Sequence, residues 1–201
     1  VNGRLGAGEL SFDFEILPAK TAVNWLIIGI GGLSSYLLVI RQTDGSIISG
    51  GEKRDYELYV PESYHGDTPV PLVISIHGFA EWPAHQRRMT HWDELADEYG
   101  FIVVYPAGRD VPKRWETNDA QMDTDAEFIA DLIDHLQSEY NIDERRIYAN
   151  GLSNGGGMSF FLSCTMSDHI AAFGGVAGAY VLPIEECQPQ RPVPAILFHG
   201  T

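Results

Sequence analysis

The segment Ile147-Tyr-Ala-Asn-Gly-Leu-Ser-Asn-Gly-Gly-Gly-Met-Ser159 is the most informative part of the sequence, because it places a Gly-x-Ser-x-Gly motif between a strand-like run and a helix-like run. Its central residue, Ser153, has a glycine two positions to either side, Gly151 and Gly155. In a very tight strand-to-helix turn, Cβ atoms at those two positions would clash, so both must be glycine. Such a turn lifts the serine hydroxyl above a sheet and aims a helix N-terminus at it, where partial positive charge stabilises an oxyanion. The motif predicts a nucleophile elbow with Ser153 as the catalytic nucleophile; a chance match among 21 glycines is the alternative.

Apolar runs and amphipathic runs alternate on both sides of this motif. Short, continuous apolar runs are typical of strands that are covered on both faces of a parallel sheet. The predicted strands are 71–76, 101–105, 146–150, 171–177 and 194–198, together with 56–60, which alternates as a half-buried strand does. Apolar residues recur at helical spacing over 89–99, which predicts a helix there. Thr124–Glu127 is a capping box that predicts a second helix start, and apolar residues recur at helical spacing after it. The alternation predicts an α/β fold with a mostly parallel sheet and helices on both faces.

Length and composition limit the classes of function. A chain of 201 residues, 44% hydrophobic and 20% charged, is typical of one domain with a buried core. Thirteen basic against 28 acidic residues give a formal net charge of −15, which argues against a nucleic-acid partner because affinity for nucleic acid comes from neutralising phosphates. Metal-ligand spacings such as HExxH, phosphate-binding loops and dinucleotide fingerprints are absent from the sequence, so we expect no metal and no cofactor.

Residues 22–40 form an uncharged apolar stretch between Lys20 and Arg41. Its length is close to the roughly 20 residues that cross a bilayer core. The stretch predicts a membrane anchor. A pair of buried strands turned at Gly31-Gly32 is the alternative.

The chain therefore divides into four predicted segments. They are an N-terminal segment over 1–20, the anchor over 21–41, a polar, glycine-rich linker over 42–52, and the α/β domain over 53–201. The last residue, Thr201, closely follows an apolar run that is typical of a buried strand. For this reason we expect the domain to be incomplete at its C-terminus.

A second motif, His77-Gly78-Phe79, follows the buried strand over 71–76. In an α/β sheet with an elbow, the loop at this place supplies the second N–H of an oxyanion hole. We predict that the backbone N–H groups of Phe79 and Asn154 are the two donors. His77 is interpreted as a histidine that holds this loop, in preference to a catalytic group.

Four segments of the sequence carry a family resemblance: IHGFAEWPAHQ (76–86), IYANGLSNGGGMS (147–159), GGVAGAY (174–180) and RPVPAILFHGT (191–201). Over about residues 53–201 the chain resembles the polyhydroxybutyrate depolymerase-like and feruloyl-esterase-like serine esterases of the α/β-hydrolase superfamily. The resemblance implies a carboxylic ester hydrolase that works through an acyl-enzyme, on hydroxyalkanoate-type or feruloyl-type esters. In that family the catalytic Asp and His follow the HGT motif, so the resemblance implies that both lie beyond Thr201 and that this chain alone is nearly inactive.

Residues within the chain are poorly placed to complete a triad. The fold requires the order serine, acid, histidine, so only His169 and His199 qualify as bases. His169 follows the elbow helix closely and His199 ends a strand ahead of any acid loop, so neither is placed as a base. Asp168, Glu185 and Glu186 are interpreted as solvated loop acids.

Two other functions stay open: a peptidase or thioesterase of the same fold, and a noncatalytic surface module that binds a polymer or a partner.

The two cysteines, Cys164 and Cys187, are either a disulfide or two buried thiols. The resemblance favours a bridge that closes the segment after the elbow helix. A disulfide would place the domain outside the cytoplasm, secreted or anchored to a membrane.

Two tryptophans are candidate substrate-binding residues. Trp115 lies in a loop after the strand over 101–105, and loops at the carboxyl ends of parallel strands line α/β active sites. Trp82 lies shortly after the predicted oxyanion loop. Each could form an apolar wall for a substrate's acyl or aryl group, or anchor its own loop.

Overall fold

The computed structural model describes residues 43–116 and 119–200. The predicted anchor over 21–41 and the segment over 1–20 lie outside these residues, so both stay predictions. Within the described part of the chain, no helix combines the length and the apolar character that a membrane span requires.

Seven strands of the described residues form one sheet. They are β1 (Gly45–Ser49), β2 (Glu52–Tyr59), β3 (Val70–Ile76), β4 (Ile102–Pro106), β5 (Ile142–Leu152), β6 (Ala172–Val176) and β7 (Ala195–Phe198). Their spatial order is β1-β2-β4-β3-β5-β6-β7. β2 runs antiparallel to both of its neighbours, and the other paired strands are parallel. The mostly parallel sheet predicted from the apolar runs is confirmed.

The prediction of a linker over 42–52 is wrong, because β1 lies within these residues. β1 and β2 form a hairpin in which Ser49 pairs with Glu52. The two residues between them, Gly50 and Gly51, have φ values of 56° and 80°. A two-residue turn with both φ values positive matches the twist of the paired strands, and Gly-Gly is a strong signal for it. The polar residues that flank the turn are typical of a linker, whereas the Gly50-Gly51 pair indicates the hairpin.

Four helices lie among the described residues: α1 (Pro83–Thr90), α2 (Trp92–Tyr99), α3 (Asp119–Glu139) and α4 (Asn154–Thr165). The single helix predicted over 89–99 is wrong, because His91 adopts a left-handed φ of 55° that ends α1 and separates it from α2. The helix start predicted at Thr124 is also wrong, because α3 begins at Asp119. Residues 119–123 contain neither glycine nor proline, so nothing in their backbone chemistry prevents the helix from extending toward its N-terminus.

Hydrophobic residues pack on both faces of the sheet. Leu72, Ile74 and Ile76 of β3 belong to a large buried cluster that includes apolar residues of α3 and α4. Val73 of the same strand belongs to a smaller cluster that contains Ala96 of α2. Because alternate residues of a strand point to opposite faces, these two clusters show that helices cover both sides, as predicted.

Candidate active site

Ser153 lies in a tight turn between the end of β5 at Leu152 and the start of α4 at Asn154. Its backbone has φ 52° and ψ −115°, values that are unfavourable for a residue with a side chain. Such a conformation persists only where the surrounding structure enforces it, and it is concentrated at functional sites. The strand-turn-helix context that the motif predicted is therefore present.

Glycines make this turn sterically feasible. A Cβ atom at Gly151 would overlap the backbone of Gly155, and one at Gly155 would overlap the carbonyl oxygens of Ile76 and His77. These are the two positions at which the motif requires glycine. A third glycine, Gly157, is needed for a reason that the motif does not state, since its Cβ would overlap the carbonyl oxygen of Ala179.

Hydrogen bonds hold the backbone of Ser153 on both sides. Its N–H donates to the carbonyl of Val176 at 2.9 Å, and its carbonyl accepts from the N–H groups of Gly157 at 3.0 Å and Ala179 at 2.9 Å. The residue is half-buried. These contacts fix the turn to β6 and to the loop that follows it.

The loop after β3 lies beside the elbow, because Ile76 pairs with Gly151 in the sheet. In this loop the Gly78 N–H donates to Glu81 Oε2 at 3.0 Å, and the Ala80 N–H donates to the carbonyl of Lys113 at 2.7 Å. Between them, the Phe79 N–H has no hydrogen-bond partner in residues 43–116 or 119–200. Asn154 is the first residue of α4, where N–H groups have no partner within the helix. Both predicted oxyanion donors are thus positioned at the carboxyl ends of neighbouring strands.

His77 is fully buried and both of its ring nitrogens are used. Nε2 accepts from the Gly108 N–H at 2.9 Å, so Nδ1 carries the proton and donates to the carbonyl of Gly78 at 2.7 Å. Burial lowers the pKa of the imidazole to about 4, which keeps the ring neutral near pH 7. These contacts are those of a histidine that holds the loop, in agreement with the interpretation from sequence.

The prediction that Trp115 forms an apolar wall for the substrate is wrong. Its side chain is only 1% exposed, and its indole N–H donates to the carbonyl of His77 at 3.0 Å. A buried indole with its polar atom satisfied has no face to offer a substrate, so the alternative of a loop anchor applies. Trp82 is half-buried and precedes α1, with the Lys113 ammonium 5.2 Å from its ring centroid.

The acids and histidines that follow Ser153 do not complete a triad. His169 Nε2 lies 3.5 Å from Asp168 Oδ2 in an exposed pair, and His199 is also exposed. Among the described residues, none donates to or accepts from Ser153 Oγ through a hydrogen bond. Within the same part of the chain, His, Cys, Asp and Glu side chains form no group of three that could hold a metal ion.

A disulfide joins Cys164 near the end of α4 to Cys187 in the loop after β6, with their Cα atoms 5.0 Å apart. The predicted bridge is confirmed. It connects the elbow helix to the segment whose Ala179 contacts Ser153.

Residues 54–184 match the family model described as esterase PHB depolymerase. The chain belongs to this family. The resemblance stated from the sequence motifs is therefore confirmed.

Curated proteins that match the chain are named as esterases. The chain is 37% identical over 151 residues to a bifunctional acetylxylan esterase/xylanase of Neocallimastix patriciarum, covering 75% of this chain and 22% of that protein. It is 32% identical over 149 residues to a feruloyl esterase B of Piromyces equi, covering 70% of this chain and 27% of that protein. The chain thus spans about a quarter of the length of each of these two relatives.

Solved structures show the same fold. A ferulic acid esterase from Anaeromyces mucronatus matches with a TM-score of 0.58 at 18% identity, covering 77% of this chain and 70% of that one. An acetyl xylan esterase from Aspergillus awamori matches with a TM-score of 0.54 at 23% identity, covering 62% of this chain and 47% of that one. At these identities the likeness supports the α/β-hydrolase fold, as predicted.

Proposed function

We propose that this chain carries the nucleophile and the oxyanion hole of a serine carboxylic ester hydrolase. The observation that carries the proposal is the φ 52°, ψ −115° backbone of Ser153 at a strand-to-helix turn built on obligatory glycines. A chance Gly-x-Ser-x-Gly sequence in a loop would not require this strained geometry. Family membership supports ester hydrolysis as the reaction.

The proposed reaction has two halves. Ser153 Oγ attacks the ester carbonyl carbon while a base takes its proton, and the N–H groups of Phe79 and Asn154 hold the oxyanion of the tetrahedral intermediate. Cleavage of the C–O bond releases the alcohol, which takes up the proton and leaves an acyl-enzyme that water hydrolyses. We propose that the acid and the base follow Thr201 in the full-length protein, since the fold requires the order serine, acid, histidine.

The proposed substrates are acyl esters of a polysaccharide, with an acetyl or a feruloyl acyl group. Two relatives, at 37% and 32% identity, are named as an acetylxylan esterase and a feruloyl esterase. A poly(3-hydroxyalkanoate) depolymerase of Paucimonas lemoignei is 30% identical over 54% of this chain, which makes hydroxyalkanoate esters the second candidate. The disulfide supports a location outside the cytoplasm, and the anchor over 21–41 remains part of the proposal.

Labelling with a fluorophosphonate probe tests the nucleophile. We compare this chain, the full-length protein, its Ser153→Ala variant and a control variant at the exposed Ser138. The full-length protein and the Ser138→Ala control should label, Ser153→Ala should not, and this chain should label weakly, because an unassisted serine is a weak nucleophile at neutral pH.

A folded full-length protein that fails to label would overturn the proposal and favour a noncatalytic binding module. If labelling succeeds, matched acyl esters, thioesters and amides separate an esterase from a thioesterase or peptidase. Esters should then be the preferred substrates.

A further inference from the structure

We infer that Trp115 and the side-chain amide of Asn154 are positioning residues that set the distance between the two oxyanion-hole donors. The inference rests on the proposed function. It assigns roles to the indole N–H and the carboxamide, whereas the oxyanion itself would contact only backbone N–H groups of Phe79 and Asn154.

The segment over 113–115 and the Asn154 side chain together form a hydrogen-bonded bridge between the two donors. One side of this bridge is the loop that carries Phe79. The indole N–H of Trp115 donates to the carbonyl of His77, two residues before Phe79, at 3.0 Å. The carbonyl of Lys113, two residues before Trp115, accepts from the N–H of Ala80, the residue after Phe79, at 2.7 Å. The segment over 113–115 therefore holds the Phe79 peptide from both sides.

The other side of the bridge is the elbow helix. Asn154 Oδ1 accepts from the Trp115 N–H at 2.7 Å, and Asn154 Nδ2 donates to the Trp115 carbonyl at 2.9 Å. This two-point contact fixes both the distance and the rotation of the Asn154 side-chain amide relative to the segment over 113–115. Because the side chain and the backbone N–H belong to the same residue, the contact also orients the first turn of α4.

The bridge is itself held from behind. The N–H of Glu116, the next residue, donates to Oδ2 of the fully buried Asp125 at 3.1 Å. Arg109 and Arg114 exchange two backbone hydrogen bonds of 2.9 and 3.0 Å, which close the turn that precedes Trp115. These hydrogen bonds hold Trp115 in place, because a shift of its backbone would break several of them.

Positioning of this kind has chemical value because an oxyanion hole works only when its donors lie about 2.7–3.1 Å from the place where the oxyanion forms. Losing one donor outright lowers kcat by roughly 10²- to 10³-fold. A donor that is displaced, not lost, should cost less, and we expect about 10-fold.

The test compares Trp115→Phe and Asn154→Asp in the full-length protein. The first substitution removes the indole N–H and keeps an aromatic ring. The second keeps an acceptor for the Trp115 N–H and places a second oxygen against the Trp115 carbonyl in place of a donor. Trp92→Phe is the control for the first, since Trp92 donates instead to Asn150 Oδ1, and the exposed Asn141→Asp is the control for the second.

The readouts are kcat and KM per active site, counted by fluorophosphonate titration, and the ratio of rates on an ester and its thionoester. Sulfur is a poor hydrogen-bond acceptor, so an intact oxyanion hole strongly prefers the oxygen substrate, and a misaligned one prefers it less. We expect both bridge variants to lose about 10-fold in kcat with little change in KM, and to show a smaller ester-to-thionoester ratio. A variant that is merely less stable would lose active sites but keep both values per site.

The outcomes separate the two proposals. If the parent protein labels and turns over esters, but the bridge variants retain its kcat and its ester-to-thionoester ratio, the positioning role is wrong and the esterase proposal stands. Equal losses in the Trp92→Phe and Asn141→Asp controls would also overturn it. If the parent protein neither labels nor turns over esters, both proposals fall together.

Discussion

Gly155 lies against the carbonyl oxygens of Ile76 and His77, where a Cβ atom would overlap both. Neither carbonyl oxygen can move away easily. Ile76 is the last residue of the central strand β3, and His77 is held by its hydrogen bonds in the loop that follows. At the scale of single residues, the site is thus built on close backbone contacts. Small increases in side-chain volume at the elbow should therefore lower the free energy of unfolding.

We expect Gly155→Ala to lower the free energy of unfolding by about 1–3 kcal/mol or more, because an added methyl group must displace backbone atoms. Gly174→Ala in β6 is the matched control, since a Cβ there would make ordinary contacts, with Asn150 Cβ at 3.4 Å and Ile196 Cγ2 at 3.5 Å. Urea unfolding of the two variants and the parent protein measures both effects. A Gly155→Ala variant as stable as Gly174→Ala would contradict the steric account of the elbow.

At the scale of elements, a buried ion pair connects β2 to α3. Arg54 Nη2 lies 2.7 Å from Asp125 Oδ1, and the two side chains are 4% and 0% exposed. The Arg54 guanidinium also stacks over the ring of Phe128 in α3, 4.0 Å from its centroid. Since Asp125 accepts from the Glu116 N–H as well, one carboxylate ties together a strand, a helix and the loop behind Trp115.

Asp125→Ala should cost about 3–5 kcal/mol of unfolding free energy, because it leaves the buried Arg54 guanidinium without its carboxylate. The neighbouring pair between the exposed Lys53 and the half-buried Asp55, 2.9 Å apart, offers a comparison. Lys53→Ala should cost less than about 1 kcal/mol, since the Lys53 ammonium is exposed and solvent screens its charge. Chemical denaturation of both variants gives the two values, and equal costs would show that burial of the Arg54 pair is unimportant.

At the scale of the whole molecule, two buried groups have opposite effects on stability as pH changes. Burial raises the pKa of Glu57 to about 7, and its nearest cation, Arg87, lies 3.5 Å away. The folded protein therefore binds a proton there more tightly than the unfolded chain, so this contribution to stability is present at low pH and is lost as pH rises through about 7. Neutral His77, with its pKa lowered from 6.5 to about 4, contributes stability above pH 6.5 that is lost as pH falls through about 4.

Glu57→Gln should isolate the first effect. Between pH 4.5 and 7.5 the parent protein should lose up to about 3 kcal/mol of unfolding free energy relative to this variant, because only the parent must bury a charge at high pH. Urea unfolding at both pH values measures the difference, with the exposed Glu62→Gln as control. A difference between parent and Glu57→Gln that does not change with pH would show that Glu57 does not titrate in this range.

Much of the fold and part of the site could be predicted because their causes are local. Continuous apolar runs found strands β3 to β7, and the glycine spacing around Ser153 found the turn between β5 and α4. The break at His91 could not be predicted in this way, since the apolar spacing continues across it and only the left-handed backbone interrupts the helix. β1 has no continuous apolar run to predict it, and only its Gly50-Gly51 turn indicates the hairpin.

The α/β class, the elbow and the family can be read from the sequence, because each depends on residue types at short, fixed spacings. The role of Trp115 depends on tertiary packing, since its partners His77 and Asn154 lie 38 and 39 positions away along the chain. A tryptophan in a loop has the same local pattern whether it faces a substrate or anchors the loop. Burial and hydrogen bonding distinguish the two cases, and both arise from contacts that form only when β3, α4 and the segment over 113–115 pack together.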